Sequence, residues 1–111
     1  MSARLVALYQ QPEDTAAFDA HYRDIHTPII LRYPGMRELR TTRVEPIGPR
    51  STPFYLRVEM VFDSRADLDA AIASEAGIES ARDLRNFATA GVTLYAVDDD
   101  ATTTTVPGGA G

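Results

Sequence analysis

Alternating apolar and polar residues predict four β-strands along this chain. The alternation is clearest from Phe54 to Phe62, where every second residue is apolar. Residues 3–9 and 91–97 are mostly apolar at both odd and even positions, which is typical of strands with both faces covered. Residues 36–45 also alternate, and they lead into the proline- and glycine-rich loop PIGPRSTP. This loop predicts an antiparallel connection to the next strand.

A helical segment is predicted between the first two strands. Asp14 is a suitable N-cap, because its carboxylate can accept a hydrogen bond from a backbone N–H of the first turn. Pro34 and Gly35 are expected to end the segment. The apolar residues between these limits recur at three- and four-residue spacing: Phe18, Tyr22, Ile25, Ile29 and Tyr33.

A second helical segment is predicted between the last two strands. Ser64 and Asp67 resemble a capping box, which indicates the start of a helix. Gly77 is expected to break this helix. A further helical stretch is then predicted over residues 79–87.

The element order β-α-β-β-α-β is that of the ferredoxin-like α+β fold, an antiparallel sheet with helices on one face. The even-numbered apolar residues from Leu56 to Phe62 are expected beneath the helices. The opposite face is expected to carry Tyr55, Val61, Ala7, Tyr9 and Leu94. An exposed apolar face of this size predicts a homodimer through the sheet face, in which two copies form a dimeric α/β barrel.

Composition limits the chain to one domain and narrows its chemistry. Residues 1–98 are expected to form that domain and residues 99–111 a disordered tail, since the tail has no apolar periodicity. The net charge of −5 disfavours nucleic acid and anionic membranes as partners. No apolar run approaches the ~20 residues of a membrane span, and no signal-peptide pattern is seen, so a cytoplasmic location is expected. Without cysteine or lysine, thiol and Schiff-base chemistry are excluded.

The segment around His26 is the first candidate for chemistry. Pro28 has no N–H to donate and disfavours helical angles at Thr27, so the helix is expected to kink or restart here. An ordinary imidazole pKa of about 6.5 suits general acid–base work. Tyr22, one turn earlier, could orient His26 or donate its own proton, and the carbonyl of Asp24 could fix the imidazole tautomer. Alternatively, His26 only caps the broken backbone.

Two groups of short motifs follow one another along the chain. The first group reads Tyr-x-x-Pro-Glu-Asp, Phe-Asp-x-His-Tyr, His-x-Pro and Pro-Gly, at Tyr9–Asp14, Phe18–Tyr22, His26–Pro28 and Pro34–Gly35. The second group is Ala-Ser-Glu-Ala-Gly at Ala73–Gly77, followed by the Asp-x-x-Asn-Phe pattern within Asp83–Val92. In order and spacing the two groups resemble the EthD family, a branch of the dimeric α+β barrel proteins.

The Asp-x-x-Asn-Phe match makes Asp83 and Asn86 the second candidate group. Three residues apart on a helix, they face the same way and could hold a polar substrate group or His26 itself. They could equally bond the backbone at the helix end. Tyr9, at the end of the first strand, points either into the barrel or under the helix. His21 is expected to face solvent. It lies five residues from His26, so the two histidines are not expected to share a helix face and make a poor metal pair.

The resemblance implies a small homodimeric enzyme without cofactor or metal, since fold relatives include cofactor-free monooxygenases, isomerases and polyketide-tailoring lyases. Its substrate would be a small hydrophobic molecule, namely an aromatic, polyketide-like or catabolic intermediate. His26 would move a proton with Tyr22, while the pocket would be lined by Tyr9, Phe87, Asp83 and Asn86.

Two alternatives to this enzyme remain open. The first is a non-catalytic accessory protein that carries an intermediate for a partner oxygenase. The second is a haem-binding protein with an axial histidine in an open pocket.

Overall fold

Four antiparallel strands form a single sheet in the computed structural model, which describes residues 2–108. The strand order is β2-β3-β1-β4, which is that of a ferredoxin-like fold. The strands are β1 Ala3–Gln10, β2 Met36–Arg43, β3 Phe54–Phe62 and β4 Val92–Asp98. β1 and β3 lie at the centre, so their side chains carry most of the core. The predicted α+β class and strand positions are confirmed.

Helices cover one face of this sheet. They are α1 Thr15–His21, α2 Thr27–Ile30, α3 Arg65–Ala73 and α4 Glu75–Phe87, with a π-helical segment at Tyr22–His26 between α1 and α2. No helix of the described residues is long and apolar enough to cross a membrane. The core lies between helices and sheet, and its almost fully buried side chains include Tyr9, Phe62, Ile30, Leu68 and Val58.

The strand register corrects the prediction of which side chains lie under the helices. Ala7 pairs with Val58 and with Leu94, and partners in antiparallel strands project to the same side of the sheet. Ala7, Tyr9 and Leu94 therefore share the helix-covered face with Val58, whereas they were expected on the opposite face. The sequence could not decide this point, because β1 is apolar on both faces.

Tyr55 also lies away from its expected position on the open sheet face. A register shift between Tyr9 and Gln10 leaves Tyr55 without a strand partner. Its ring packs edge-on against Phe18 of α1 at 5.4 Å, and its hydroxyl donates to the Asp19 carboxylate at 2.8 Å. Of the residues assigned to the open face, Val61 keeps that place.

The first helical segment continues through Pro28 where a kink or restart was expected. Thr27 has helical angles (φ −57°, ψ −44°), so the prediction that proline would remove it from the helical region was wrong. The Thr27 N–H donates to the carbonyl of Tyr22, five residues earlier, which defines a π-type turn. The wider turn accommodates a proline that cannot donate its own hydrogen bond. It also shifts the buried stripe, since Ile25 is exposed and Ile30 is buried.

The break in the second helical segment falls at Ser74, three residues before the predicted Gly77. Ser74 ends α3 and also N-caps α4, where its hydroxyl accepts the Gly77 N–H at 3.2 Å. Gly77 thus lies inside the first turn of α4. A Cβ there would lie 2.3 Å from the Ile72 carbonyl oxygen, so only glycine allows this close approach of the two helices.

Beyond β4, Asp99 keeps the chain in contact with the residues at the start of β1. The Asp99 N–H donates to the Ser2 carbonyl at 2.9 Å, and the Asp99 carboxylate lies 3.1 Å from Arg4 Nε. Residues 101–106 have no regular secondary structure. The predicted tail extends to residues 109–111, which lie outside the described residues.

Candidate functional site

The buried carboxylate of Asp83 is the centre of a polar network. His26 Nδ1 lies 2.8 Å from its Oδ2, and His21 Nε2 lies 2.9 Å from its Oδ1. Asn86 Nδ2 donates to Oδ1 at 3.0 Å. We call these four residues the Asp83 network. Of the two options for Asp83, contact with His26 is the one observed.

The π-helical segment explains why two histidines reach one carboxylate. In an α-helix, residues five apart are rotated by about 140° from each other, which would place His21 and His26 on different faces. A π turn bonds residues five apart, so it brings such side chains to the same side. The predictions that His21 faces solvent and that the two histidines occupy separate faces were therefore wrong. His21 stacks on Phe87, with ring centroids 4.8 Å apart.

Burial and hydrogen bonding fix the charge of this network. Burial by itself would raise the pKa of Asp83, but the hydrogen bonds from Asn86, His26 and His21 outweigh it and lower the pKa. Burial lowers the pKa of His26, with Asp83 opposing part of that effect. Asp83 is therefore ionised near neutral pH, and the neutral form of His26 is favoured. His26 Nδ1–H then donates to Asp83, which leaves a lone pair on Nε2.

His26 lies in the wall of a cavity of about 270 Å³. The cavity is lined by residues of β1, β3, β4 and the helices, and most of them are apolar, including Leu5, Ile30, Met60, Leu68, Leu84 and Leu94. Nδ1 of His26 is occupied by Asp83, and Nε2 bonds to no group within residues 2–108. The imidazole can therefore accept a proton from a molecule in this cavity.

The remaining predicted site residues divide between two cavities. Tyr9 lines the His26 cavity, whereas Asn86 and Phe87 line a second cavity of about 290 Å³. This second cavity also contains His21, Glu13, Asp14 and Thr89, so it is the more polar of the two. Phe87 lies between the two cavities, because its ring contacts both His21 and His26.

Tyr22 packs against His26 but is not hydrogen-bonded to it. Their ring centroids are 5.9 Å apart, and the Tyr22 hydroxyl lies 3.4 Å from Thr41 Oγ1. The Asp24 carbonyl was expected to fix the His26 tautomer, but Asp83 occupies Nδ1 instead. Residues 2–108 contain no group of three or more histidine, cysteine or acidic residues with the geometry of a metal site.

Sequence reasoning missed a hydroxyl pair in the same cavity wall. The Tyr33 hydroxyl is hydrogen-bonded to Ser80, whose own hydroxyl donates to the Gly77 carbonyl at 3.0 Å. Ser80 is three residues before Asp83 on α4, so the two polar contacts lie one helical turn apart. A lone serine in a helix carries no signal of such a role, and only the spacing to Asp83 could have indicated it.

The fold and this site define a ferredoxin-like α+β protein with a buried Asp–His pair beside an apolar cavity. The EthD domain model matches residues 10–91, and the chain belongs to the EthD family. A relative from Rhodococcus erythropolis, an uncharacterized 11.0 kDa protein of the thcB-thcC intergenic region, is 31% identical over 97 residues. The match covers 87% of this chain and 94% of the relative.

Solved structures extend the comparison. An ethyl tert-butyl ether D (EthD) family protein from Bacillus halodurans C-125 is 36% identical, with a TM-score of 0.83 over 89% of this chain and 99% of that chain. SnoaB from Streptomyces nogalater, a cofactor-independent oxygenase, is 15% identical with a TM-score of 0.66. The match covers 91% of this chain and 95% of SnoaB. A dimeric ferredoxin-like protein of unknown function from Bacteroides fragilis is 9% identical with a TM-score of 0.61. The match covers 87% of this chain and 95% of that protein. The last two likenesses show the fold alone.

Proposed function

We propose that this protein is a small homodimeric enzyme, without cofactor or metal, that moves a proton on an aromatic, polyketide-like or catabolic intermediate. One observation carries the proposal. His26 has Nδ1 bound to a buried carboxylate while its ring borders an apolar cavity large enough for a small ring compound. A base with a fixed tautomer at the wall of a mostly apolar cavity is suited to proton abstraction.

Each member of the Asp83 network has a part in this reaction. Asp83 holds the His26 tautomer and stabilises the imidazolium that forms when Nε2 accepts a proton. Asn86 and His21 keep Asp83 ionised through their hydrogen bonds. Tyr22 and Phe87 hold the His26 ring by packing. Return of the proton to the same or another atom would complete an isomerisation. Loss of a leaving group from the carbanion would instead complete a lyase reaction, and reaction of the carbanion with O₂ as the oxidant would begin an oxygenase reaction.

A deuterium-exchange assay tests this function without a known product. Aromatic ketones, quinones and aromatic acids that bind the protein would be incubated in D₂O, and deuterium uptake measured by mass spectrometry. We expect His26→Ala to slow the uptake by ~10²–10⁴-fold at similar ligand affinity. Leu31→Ala, a change at an exposed residue of the helix side, is the matched control. Unchanged exchange or loss of the fold in His26→Ala would favour a capping role for His26.

An accessory role is the second candidate, because the cavity lining is mostly apolar and offers few groups for chemistry. Such a protein would carry a hydrophobic intermediate for a partner oxygenase. It would bind the same ligands with no His26-dependent deuterium uptake. Tight binding without exchange across the ligand panel would favour this role over an enzyme.

The homodimer is proposed to form through the open sheet face. The Bacteroides fragilis neighbour is dimeric, and this face carries Val6, Leu8, Val61, Tyr95 and Val97. We expect Val61→Glu to dissociate the dimer, since an unpaired charge would be buried at the interface. Sedimentation velocity at micromolar concentration measures this, with Leu31→Glu as the control. A wild-type monomer would contradict the proposal.

A further inference from the structure

The hydroxyl group of Tyr9 has no hydrogen-bond partner within residues 2–108, although the residue is only 1% exposed. Tyr9 lines the His26 cavity. Arg4 Nε is the one fully buried side-chain nitrogen or oxygen of the described residues that lacks a hydrogen-bond partner, so the Tyr9 oxygen keeps accessible surface, and it does so beside the cavity. An unpaired donor at a cavity wall indicates a ligand that supplies the missing acceptor.

The Tyr9 ring is held in place from several sides. Its centroid lies 5.3 Å from that of Phe18, 6.0 Å from Tyr22 and 5.7 Å from Phe87. The Phe87 ring also contacts His26 at 4.7 Å, so the hydroxyl donor and the imidazole base share one aromatic support. Rigid support of this kind presets the direction of the donor before any ligand binds.

The other hydroxyl groups in the cavity wall are already satisfied. Ser80 donates to the Gly77 carbonyl, so its oxygen accepts the proton of Tyr33. Tyr95 projects from the open sheet face and is 39% exposed, so its hydroxyl does not point into the cavity. Among the tyrosines of the described residues that line this cavity, Tyr9 alone combines a buried ring with a hydroxyl that has no protein partner.

Tyr9 is also held in its protonated form. Burial raises the pKa of the Tyr9 phenol, and the proximity of Tyr22, Tyr33 and Asp83 raises it further. The phenol therefore stays neutral at every pH near neutrality. It can donate a hydrogen bond but cannot serve as an anionic base.

We propose that Tyr9 donates a hydrogen bond to a ligand oxygen, and that the substrate class is an enolisable aromatic ketone. His26 Nε2 takes the proton from the carbon beside the carbonyl. The C–H electron pair then forms the C=C bond, and the carbonyl π pair moves to the oxygen, which accepts the Tyr9 hydrogen bond. Return of the proton from Nε2 to carbon or oxygen regenerates neutral His26. This inference rests on the proposed proton-transfer function.

Binding of a matched pair of compounds tests the donor directly. The compound 2-naphthol resembles the enol of a bicyclic ketone, and naphthalene has the same rings without the oxygen. We expect Tyr9→Phe to weaken 2-naphthol binding by roughly 3–10-fold and to leave naphthalene binding unchanged. Tyr55→Phe, whose hydroxyl faces Asp19 and lines neither cavity, should change neither affinity. Equal effects of Tyr9→Phe on both compounds would overturn the proposal.

Stability separates a ligand-binding role from a structural one. If the Tyr9 hydroxyl awaits a ligand, Tyr9→Phe should leave the melting temperature of the free protein unchanged or slightly higher. A clear fall would mean that the hydroxyl is already satisfied in the free protein, which would overturn the inference.

The exchange reaction gives the second readout, with 2-tetralone as the enolisable ketone. Tyr9→Phe should slow deuterium uptake by about 10²–10³-fold, with the His26 pKa unchanged in an NMR titration. If the wild type catalyses exchange and Tyr9→Phe matches it, the Tyr9 inference fails and the proposed function stands. If the wild type catalyses none, the proposed function fails, and 2-naphthol selectivity still decides whether Tyr9 is a donor.

Discussion

Two carboxylates are buried to the same extent on opposite sides of the sheet. Asp83 and Glu59 are each 6% exposed. Asp83, on the helix side, receives its hydrogen bonds from two histidines and an asparagine. Glu59, on the open face, pairs with Arg4 at 2.9 Å and with Arg57. Arg57 and Glu59 are thus paired within one chain.

The difference lies in the partners and not in the carboxylates. Arginine stays charged at every pH at which the protein is folded, so the Glu59 cluster neither takes up nor releases a proton near neutrality. Histidine changes its charge in that range, so the Asp83 network can do both. Asp83 is also linked to a cavity through His26, whereas Glu59 lines neither of the two cavities. A buried carboxylate is therefore a candidate for chemistry only when its partners titrate and a ligand can approach them.

The strongest expected contrast is between Asp83→Asn and Glu59→Gln in the exchange assay. The Asp83→Asn variant would present an amide to His26 and can favour the tautomer with hydrogen on Nε2, which removes the base from the cavity. We expect Asp83→Asn to slow exchange by ~10²–10⁴-fold. Glu59→Gln should retain the wild-type rate. Wild-type exchange in Asp83→Asn would show that His26 does not depend on this carboxylate.

The pH dependence of stability should also differ between the two clusters. The His26 pKa is lowered by folding from its ordinary value of 6.5, so the unfolded chain binds more protons just below that pH. The stability that neutral His26 contributes is fully present above the ordinary value of 6.5. It is lost as the pH falls from there through the lower pKa of the folded state. Glu59, whose pKa is lowered from 4.5, loses its contribution only below about that value. Between pH 7 and 5 only the Asp83 network should respond.

Urea unfolding at pH 7.5, 6.0 and 5.0 measures this response. Wild type and Glu59→Gln should lose stability together over this range, and His26→Gln should lose less. If the free energy of unfolding of His26→Gln falls with pH as steeply as that of the wild type, the pH dependence belongs to other groups.

The comparison also shows how much of the molecule the sequence could predict. Strand positions and element order were predictable, because period-two patterns, caps and proline-rich loops are local signals. The sequence could not predict which face of β1 lies under the helices. Leu5 and Val6 are both apolar, and the register depends on pairing with β3. Local patterns specify elements, whereas the choice between two apolar faces is made by tertiary packing.

The site was predictable to a smaller extent. Asp83 and His26 were both named, Asp83 from the Asp-x-x-Asn-Phe match and His26 from its place beside Pro28 and its ordinary imidazole pKa. His21 was missed, since a 3.6-residue period cannot represent a π turn. Pro28 was the available signal, but a proline in a helix predicts a kink as readily as a wider turn. Tyr33 and Ser80 are 47 residues apart, and nothing in sequence brings them together.

A smaller effect is expected from His21, which contacts the same carboxylate as His26. A charged His21 lowers the pKa of His26, because two imidazolium groups would share one negative charge. His21→Gln should therefore raise the His26 pKa while changing the exchange rate only a few-fold. The chain has two histidines, so an NMR titration of this variant reports His26 alone. A lowered or unchanged His26 pKa would contradict this effect of His21.

The smallest effect concerns Asp99, which connects the Glu59 cluster to the predicted tail. Residues 100–108 are exposed, so deletion of 100–111 should leave the melting temperature unchanged. Deletion of 99–111 also removes the hydrogen bond to Ser2 and the carboxylate beside Arg4, so a small further fall is expected. Neither deletion should alter exchange, because the Asp83 network lies on the other side of the sheet. Equal melting temperatures for the two deletions would place the end of the folded domain before Asp99. A large fall in melting temperature on deleting 100–111 would show that the tail packs against the domain.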